Sequence, residues 1–241
     1  MKDLRRAGGY AGLVAAGTVV VGLGMFATLL TDYTTGDPTP GESVAFLADN
    51  EATIFVWNAV TLLVFSVALV PFALALYEWL KPSSPVLAAT GTVFAFIWAG
   101  LLLASGMILN VASGTIVELQ RTDPAQAETL WLSVDTVANG MSGGMEIVGS
   151  TWVLLISLAS LRAGLLPKAL GYLGIVMAVT GLTTIVPALE MVGAVFGLGL
   201  IVWFAWYGTL MIRQPAAAAA TSVPADRSAA PVDETRRSDA G

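Results

Sequence analysis

Long runs of apolar residues constrain this chain more than any other feature. The first, residues 10–30, carries no charge and is long enough as a helix to cross the roughly 30 Å hydrocarbon core of a bilayer. Only 12% of the residues are charged, about half the share found in soluble domains. We therefore predict an all-α integral membrane bundle of six transmembrane helices in a lipid bilayer. The predicted spans are residues 10–30, 52–80, 86–109, 134–161, 168–189 and 192–212.

Lys and Arg fall almost entirely on one side of this predicted topology. Ten of the 11 basic residues lie on that side: Lys2, Arg5, Arg6, Lys81, Arg162, Lys168, Arg213, Arg227, Arg236 and Arg237. Arg121 lies on the other side. Because basic loops stay in the cytoplasm, both termini are predicted to be cytoplasmic, in a bacterial-type inner (plasma) membrane. The first run is too long for the apolar core of a cleaved signal peptide, which favours a retained anchor.

Short helices outside the membrane are predicted in the first and third connections. Residues 39–42, Thr-Pro-Gly-Glu, have the capping-box pattern and predict a surface helix at residues 40–49. Asp123 and Pro124 have the pattern of an N-cap followed by a first helical residue. A helix from there to residue 161 is longer than a bilayer requires. It is predicted either to project beyond the membrane or to break near the glycines at 140–144.

Three further patterns concern the second and sixth spans and the C-terminal segment. Pro71 predicts a kink in the second span. Trp203, Trp206 and Tyr207 predict an aromatic belt at the membrane interface. Residues 214–241 lack large apolar side chains and predict a disordered cytoplasmic tail after the transmembrane domain at 1–213.

A polar stripe marks the fourth predicted span. Asp135, Asn139, Ser142, Glu146 and Ser150 follow one another at helical spacing and share one face. Glu146 lies near the bilayer middle, where an acidic side chain costs about 2.5–3.5 kcal/mol and must face the bundle interior. Glu146, Ser142, Asn139 and Asp135 are thus a candidate intramembrane site for a proton or cation. The structural alternative is a protonated Glu146 that hydrogen-bonds a neighbouring helix.

Asn58 and Glu190 are secondary candidates. Asn58 and Asp135 lie near the outer ends of their predicted spans, where a solvated helix end is the plainer interpretation. They could instead line an outward-facing vestibule, if the bundle leaves one. Glu190 falls in a very short outer turn between the fifth and sixth spans.

The chain has no Cys and no His. The common ligands of zinc, haem and iron–sulfur clusters are therefore missing, as are thiol nucleophiles. No Gly-rich phosphate loop, spaced metal-ligand set or basic nucleic-acid stripe occurs in the sequence. We predict no catalytic residue, no metal, no cofactor and no nucleic-acid partner, and hence a protein that is not an enzyme.

Residues 140–144 match G-x-S-x-G, but the strand-turn-helix context of that motif is absent. They resemble the G-x-S-G of rhomboid intramembrane proteases, whose serine lies on the fourth of six spans, and Gly193 with Gly197 resembles that family's pattern on the sixth. Glu190 stands where that family needs a histidine, so Ser142 lacks a base. Close helix packing at 140–144 and at Gly193 and Gly197 is the structural explanation.

Three stretches resemble one uncharacterised bacterial membrane family. They are Arg-Ala-Gly at 6–8, Leu-Leu-Pro-Lys-Ala-Leu-Gly-Tyr-Leu-Gly at 165–174 and Ile-Val-Trp-Phe-Ala-Trp-Tyr-Gly at 201–208. The family is labelled domain of unknown function 4386, and the likeness covers most of residues 5–213. It implies a membrane topology and carries no activity.

Two hypotheses of function remain open. The first is a transporter-like protein, or a structural or regulatory module, with an intramembrane acidic site and with a membrane-protein partner or a homo-oligomer as its assembly. The second is a catalytically inactive rhomboid-like protein that binds transmembrane clients.

Overall fold

The computed structural model describes residues 2–30, 38–142, 147–164 and 166–213. All regular secondary structure in these ranges is helical. In chain order the helices are α1 (Lys2–Thr28), α2 (Pro40–Asp49), α3 (Glu51–Asn58), a π segment (Ala59–Val64), α4 (Phe65–Leu80), α5 (Pro85–Thr122), α6 (Pro124–Ser142), α7 (Ile147–Ala163), α8 (Lys168–Thr183), a 3₁₀ segment (Pro187–Val192) and α9 (Gly193–Arg213). The predicted tail at 214–241 lies outside the described residues.

Five helical segments are long and apolar enough to cross a membrane. They are Asp3–Thr28, Glu51–Leu80, Pro85–Thr122, Pro124–Ala163 and Gly193–Arg213. The fourth joins α6 and α7 across residues 143–146, which lie outside the described ranges. These lengths and compositions make the chain a helical membrane protein.

The predicted fifth span, residues 168–189, corresponds to a shorter α-helix and the start of a 3₁₀ segment. Helix α8 ends at Thr183 and spans 16 residues, about 24 Å against roughly 30 Å of hydrocarbon. Its end tightens because the hydroxyls of Thr180, Thr183 and Thr184 each bond the carbonyl three residues earlier. Backbone bonds of the same i to i−3 kind follow, and the 3₁₀ segment begins at Pro187.

Helices α5 and α6 form a hairpin at Asp123. The predicted third span ended at residue 109, whereas α5 continues to Thr122. Asp123 then accepts a hydrogen bond from the Gln126 N–H at 3.1 Å, so the predicted helix start is confirmed. Residues 124–134 are helical, and the predicted break near residues 143 and 144 lies outside the described residues.

A capping box begins α2. The Glu42 N–H donates to the Thr39 hydroxyl, and the Thr39 N–H and hydroxyl donate to the Glu42 carboxylate, as the sequence predicts. Val44 and Leu47 of α2 are buried in a small apolar cluster with Ile116. Helix α2 therefore packs across one end of the α5–α6 hairpin.

Acid should loosen the first turn of α2. The Thr39 N–H, and then its hydroxyl, lower the pKa of Glu42. Because the pKa is lower in the folded state, the ionised Glu42 carboxylate stabilises the folded protein fully above the ordinary carboxyl pKa, near 4.3. This stabilisation is lost as the pH falls through the lowered pKa of the folded state. We expect amide-exchange protection at Ser43 and Val44 to fall on acidification, and Glu42→Gln to remove that pH dependence. Equal pH dependence in both proteins would contradict this account.

Glycines bring α1 close to α9 and α4. A Cβ built on Gly9 would lie 2.8 Å from the Gly208 carbonyl oxygen, and one built on Gly12 would lie 2.7 Å from the Phe72 ring. Of the glycines expected to pack closely, Gly193 does so, because a Cβ built there would lie 2.9 Å from Thr184 Cγ2. A Cβ built on Gly140 or Gly197 meets no described heavy atom within 4 Å beyond its own helix backbone and chain neighbours, and Gly144 lies outside the described residues. Helix α1 therefore packs closely against both α9 and α4.

An aromatic core fills the bundle between α4, α7 and α9. Trp152 and Trp203 meet edge to face at 5.3 Å, and Trp203 lies 4.4 Å from Tyr207 between ring centroids. Both Trp203 and Tyr207 are fully buried, and Tyr207 shares a hydrogen bond with Ser160. The predicted interfacial belt is therefore wrong for these two residues, which pack in the core.

The second span is not a uniform α-helix. The π segment Ala59–Val64 interrupts it between α3 and α4, and Pro71 lies inside α4. Single π turns inside helices often mark functional sites. The π segment begins at the residue after Asn58, at the end of the bundle where α3 lies.

The two ends of the bundle differ in charge. The start of α1 lies beside the end of α9, the Arg5 guanidinium stacks 3.9 Å over the Trp79 ring, and the Ser84 hydroxyl reaches the Ala159 carbonyl. Arg5, Arg6, Lys81, Arg162, Lys168 and Arg213 occupy these helix ends. This end is termed the basic end, and the end covered by α2 is termed the cap end.

Candidate functional site

A cavity of about 210 Å³ lies at the cap end. Helices α2, α3, α5 and α6 and the residue pair that follows α1 supply its walls. The lining residues are Leu30, Leu47, Ile54, Trp57, Asn58, Leu109, Ser113, Ile116, Trp131, Val134, Asp135 and Asn139. Three of the six residues named as site candidates from the sequence are among them.

Asn58 is buried to 2% exposure at the last position of α3. The expectation of a solvated helix-end residue is therefore wrong. Asn58 also lines the cavity. Its amide group can donate and accept hydrogen bonds, so it could bind a polar molecule in the cavity.

Asp135 and Asn139 line the cavity from α6. They are four residues apart, so both lie on the same face of α6. The Ser105 hydroxyl of α5 donates to the Ala138 carbonyl at 3.0 Å, which fixes this turn of α6 against α5. Of the described residues that line the cavity, Asp135 is the one with an ionisable side chain.

Three further lining residues carry polar or aromatic groups. The Ser113 hydroxyl donates to the Leu109 carbonyl at 2.7 Å, and a hydroxyl oxygen can also accept hydrogen bonds. The Trp57 indole N–H donates to the Gly22 carbonyl at 3.1 Å, which holds its ring between α1 and the cavity. Trp131 lies one turn before Asp135 and is half-buried.

The polar stripe predicted along residues 135–150 divides in the structure. Ser142 donates to the Ala138 carbonyl at 2.8 Å. Ser150 is fully buried where α7 meets Gly181 of α8. Glu146 lies outside the described residues, so its predicted inward position stays a prediction.

Glu190 lies in the 3₁₀ segment that joins α8 to α9. Its side chain is not described, and Glu190 is not among the residues that line the cavity. The structure therefore brings together Asp135, Asn139 and Asn58. Trp57, Trp131 and Ser113 were missed from the sequence, although Trp57 adjoins Asn58 and Trp131 shares the helical face of Asp135.

The chemistry available at this site is that of a single carboxylate with amides, one hydroxyl and two indole rings. No group of three or more His, Cys, Asp or Glu side chains that could hold a metal ion occurs in the described residues. The arrangement can accept hydrogen bonds and balance one positive charge.

Comparison with known proteins places the chain in a family. Neither the curated proteins nor the solved structures contain a match. The family described as "Domain of unknown function (DUF4386)" matches residues 10–213, which include every helix that lines the cavity. The match covers most of the sequence, so this chain belongs to that family of domain of unknown function 4386.

Proposed function

We propose that this protein is a non-enzymatic, transporter-like plasma-membrane protein that holds a small solute in the cap-end cavity. The observation that carries the proposal is the convergence of Asp135, Asn139 and Asn58 on one cavity from two helices. Intramembrane polar groups of this kind mark solute or ion pathways.

Six spans fit the charge distribution better than five. The start of α1 and the end of α9 lie together at the basic end, which requires an even number of crossings. Helix α8 would be the additional span, the fifth in chain order. Because α8 is short, either the bilayer is locally thinner there or the 3₁₀ segment completes the crossing. Under the positive-inside rule the basic end is cytoplasmic, in a bacterial-type inner membrane, and the cavity faces outward.

The absence of Cys from the chain allows a direct test of the cavity. Ser113→Cys places one thiol in the cavity wall, and Ser105→Cys places one two turns away on the same helix, where Ser105 is fully buried. Methyl methanethiosulfonate reacts with the thiolate, which requires water. We expect Ser113→Cys to react at least about tenfold faster than Ser105→Cys in purified full-length protein.

Labelling is followed by intact-protein mass spectrometry. Both thiols should react at similar rates in denaturing detergent, which shows that each is chemically competent. A Ser113→Cys thiol as unreactive as Ser105→Cys in the folded protein would show a closed cavity and would refute the proposed solute site. An impermeant charged analogue applied to intact cells then reports which side of the membrane the cavity faces.

A further inference from the structure

We propose that the cavity binds a small organic ammonium ion, in which one positive charge is carried by an apolar body. This inference rests on the proposed function and adds the chemical class of the solute. Charge, wall composition and size each support it.

The charge argument starts from Asp135. Its side chain is half-buried, and no Lys or Arg is among the described residues that line the cavity. At the cap end the described chain has Arg121, which is exposed and paired with Glu118 at 3.6 Å. The other basic residues of the described chain lie at the basic end. Because a partly buried charge is costly without a partner, a cationic ligand would supply what the protein does not.

The walls favour an organic cation over a metal ion. Trp57 and Trp131 line the cavity together with Leu30, Leu47, Ile54 and Ile116. Indole rings attract cations more strongly than other aromatic side chains and are used to recognise quaternary ammonium groups. A calcium ion would require about six to eight oxygen ligands. Among the described residues that line the cavity, the polar non-aromatic side chains are those of Asp135, Asn139, Asn58 and Ser113.

Size sets an upper limit on the ligand. The cavity of about 210 Å³ is smaller than the roughly 300–1,000 Å³ of pockets for drug-sized molecules. An ammonium group with a few carbon substituents fits this limit. Asn58, Asn139 and the Ser113 hydroxyl would then bind a polar group on the substituent.

The matched probes are choline and 3,3-dimethyl-1-butanol. The two molecules have the same shape and hydroxyl, and differ in whether the central atom is a charged nitrogen or a neutral carbon. Full-length protein in detergent is titrated with each by calorimetry and by thermal shift at constant ionic strength, with sodium chloride as the metal-ion comparison. We expect saturable binding of choline at least about tenfold tighter than that of the neutral alcohol, equal to about 1.4 kcal/mol.

Two variants distinguish the effect of a carboxylate in the cavity from the effect of a carboxylate on the protein surface. Asp135→Asn should weaken choline binding at least about tenfold and leave the affinity for the neutral alcohol unchanged. Asp49→Asn removes an exposed carboxylate at the end of α2 that does not line the cavity, and it should bind choline like the wild type. Trp131→Leu should weaken choline more than the neutral alcohol.

Equal affinity for the two probes, no choline binding, or full choline binding by folded Asp135→Asn would each overturn the ammonium assignment. The probe comparison uses the wild-type protein, so it decides the question even where a variant fails to fold. The Ser113→Cys reaction separates the two proposals. A reactive thiol without choline binding refutes the ligand class alone, and an unreactive thiol refutes the solute site as well.

Discussion

Gly208→Val is expected to lower the unfolding free energy by about 3 kcal/mol. A Cβ built on Gly208 would lie 2.7 Å from the Gly9 carbonyl oxygen and 3.2 Å from the Leu13 nitrogen. Both are backbone atoms of α1, so no side-chain rotation relieves the overlap, and α1 must move away from α9. The free energy is measured by unfolding the protein with sodium dodecyl sulfate in mixed micelles.

Gly197→Val is the matched control on the same helix. No heavy atom of the described ranges lies within 4 Å of a Cβ built on Gly197. The change is expected to stay within about 0.5 kcal/mol of the wild type, as for other open positions. Equal losses at Gly197 and Gly208 would show that helix propensity, and not the crossing of α1 with α9, sets the cost.

Gly174→Val is expected to have a similarly large effect, about 3 kcal/mol, by disturbing the aromatic core. A Cβ built on Gly174 would overlap the Ser157 hydroxyl and lie 2.8 Å from the Trp203 indole nitrogen. Trp203 is fully buried against Trp152 and Tyr207, so its ring cannot turn aside cheaply. The unfolding midpoint gives the loss of stability, and near-ultraviolet circular dichroism reports the loss of fixed aromatic packing.

Gly171→Val, one turn earlier on α8, gives the comparison. A Cβ built there would meet the end of the Leu161 side chain, at 2.5 Å from Cγ. Leu161 is partly exposed and can change rotamer, so the expected cost is about 1 kcal/mol. A Gly171→Val protein less stable than Gly174→Val would contradict this interpretation of the core.

Local sequence patterns predicted local structure well. The capping box at Thr39 and Glu42 and the helix start at Asp123 depend on neighbouring residues alone, and both are confirmed. The end of α8 at Thr183 was not predictable from hydropathy, because the apolar run continues past it to residue 189. Threonine hydroxyls and i to i−3 bonds end the helix there without any change in polarity.

Features that depend on a packing partner were harder to predict. Trp203 and Tyr207 lie near a span end, where an interfacial belt and a packed core have the same composition. The close glycines were sought in G-x-x-x-G spacing, whereas Gly9 and Gly208 come from opposite ends of the chain. Whether two helices pack closely depends on the surfaces of both, so the sequence of one helix alone does not predict which helix it contacts.

The candidate site shows the same division. Asp135 and Asn139 follow from their spacing on α6, since residues four apart share a face. Asn58 joins them through the packing of α3 against α5, which no spacing within its own helix records. Its burial was unforeseen because an amide near a span end looks solvated until its neighbours are known.

The π segment changes the direction in which side chains point along the second span. Each residue turns an α-helix by about 100°, and a π turn holds an extra residue compared with an α turn. The face of α3 that carries Asn58 is therefore rotated about the helix axis relative to the face of α4 that carries Phe72. Without that offset in Ala59–Val64, one continuous helix would have to present the aromatic core and the cavity wall along a single stripe. Because of the π segment, the residues of α3 that line the cavity and the residues of α4 that pack in the core need not lie on one continuous helical face.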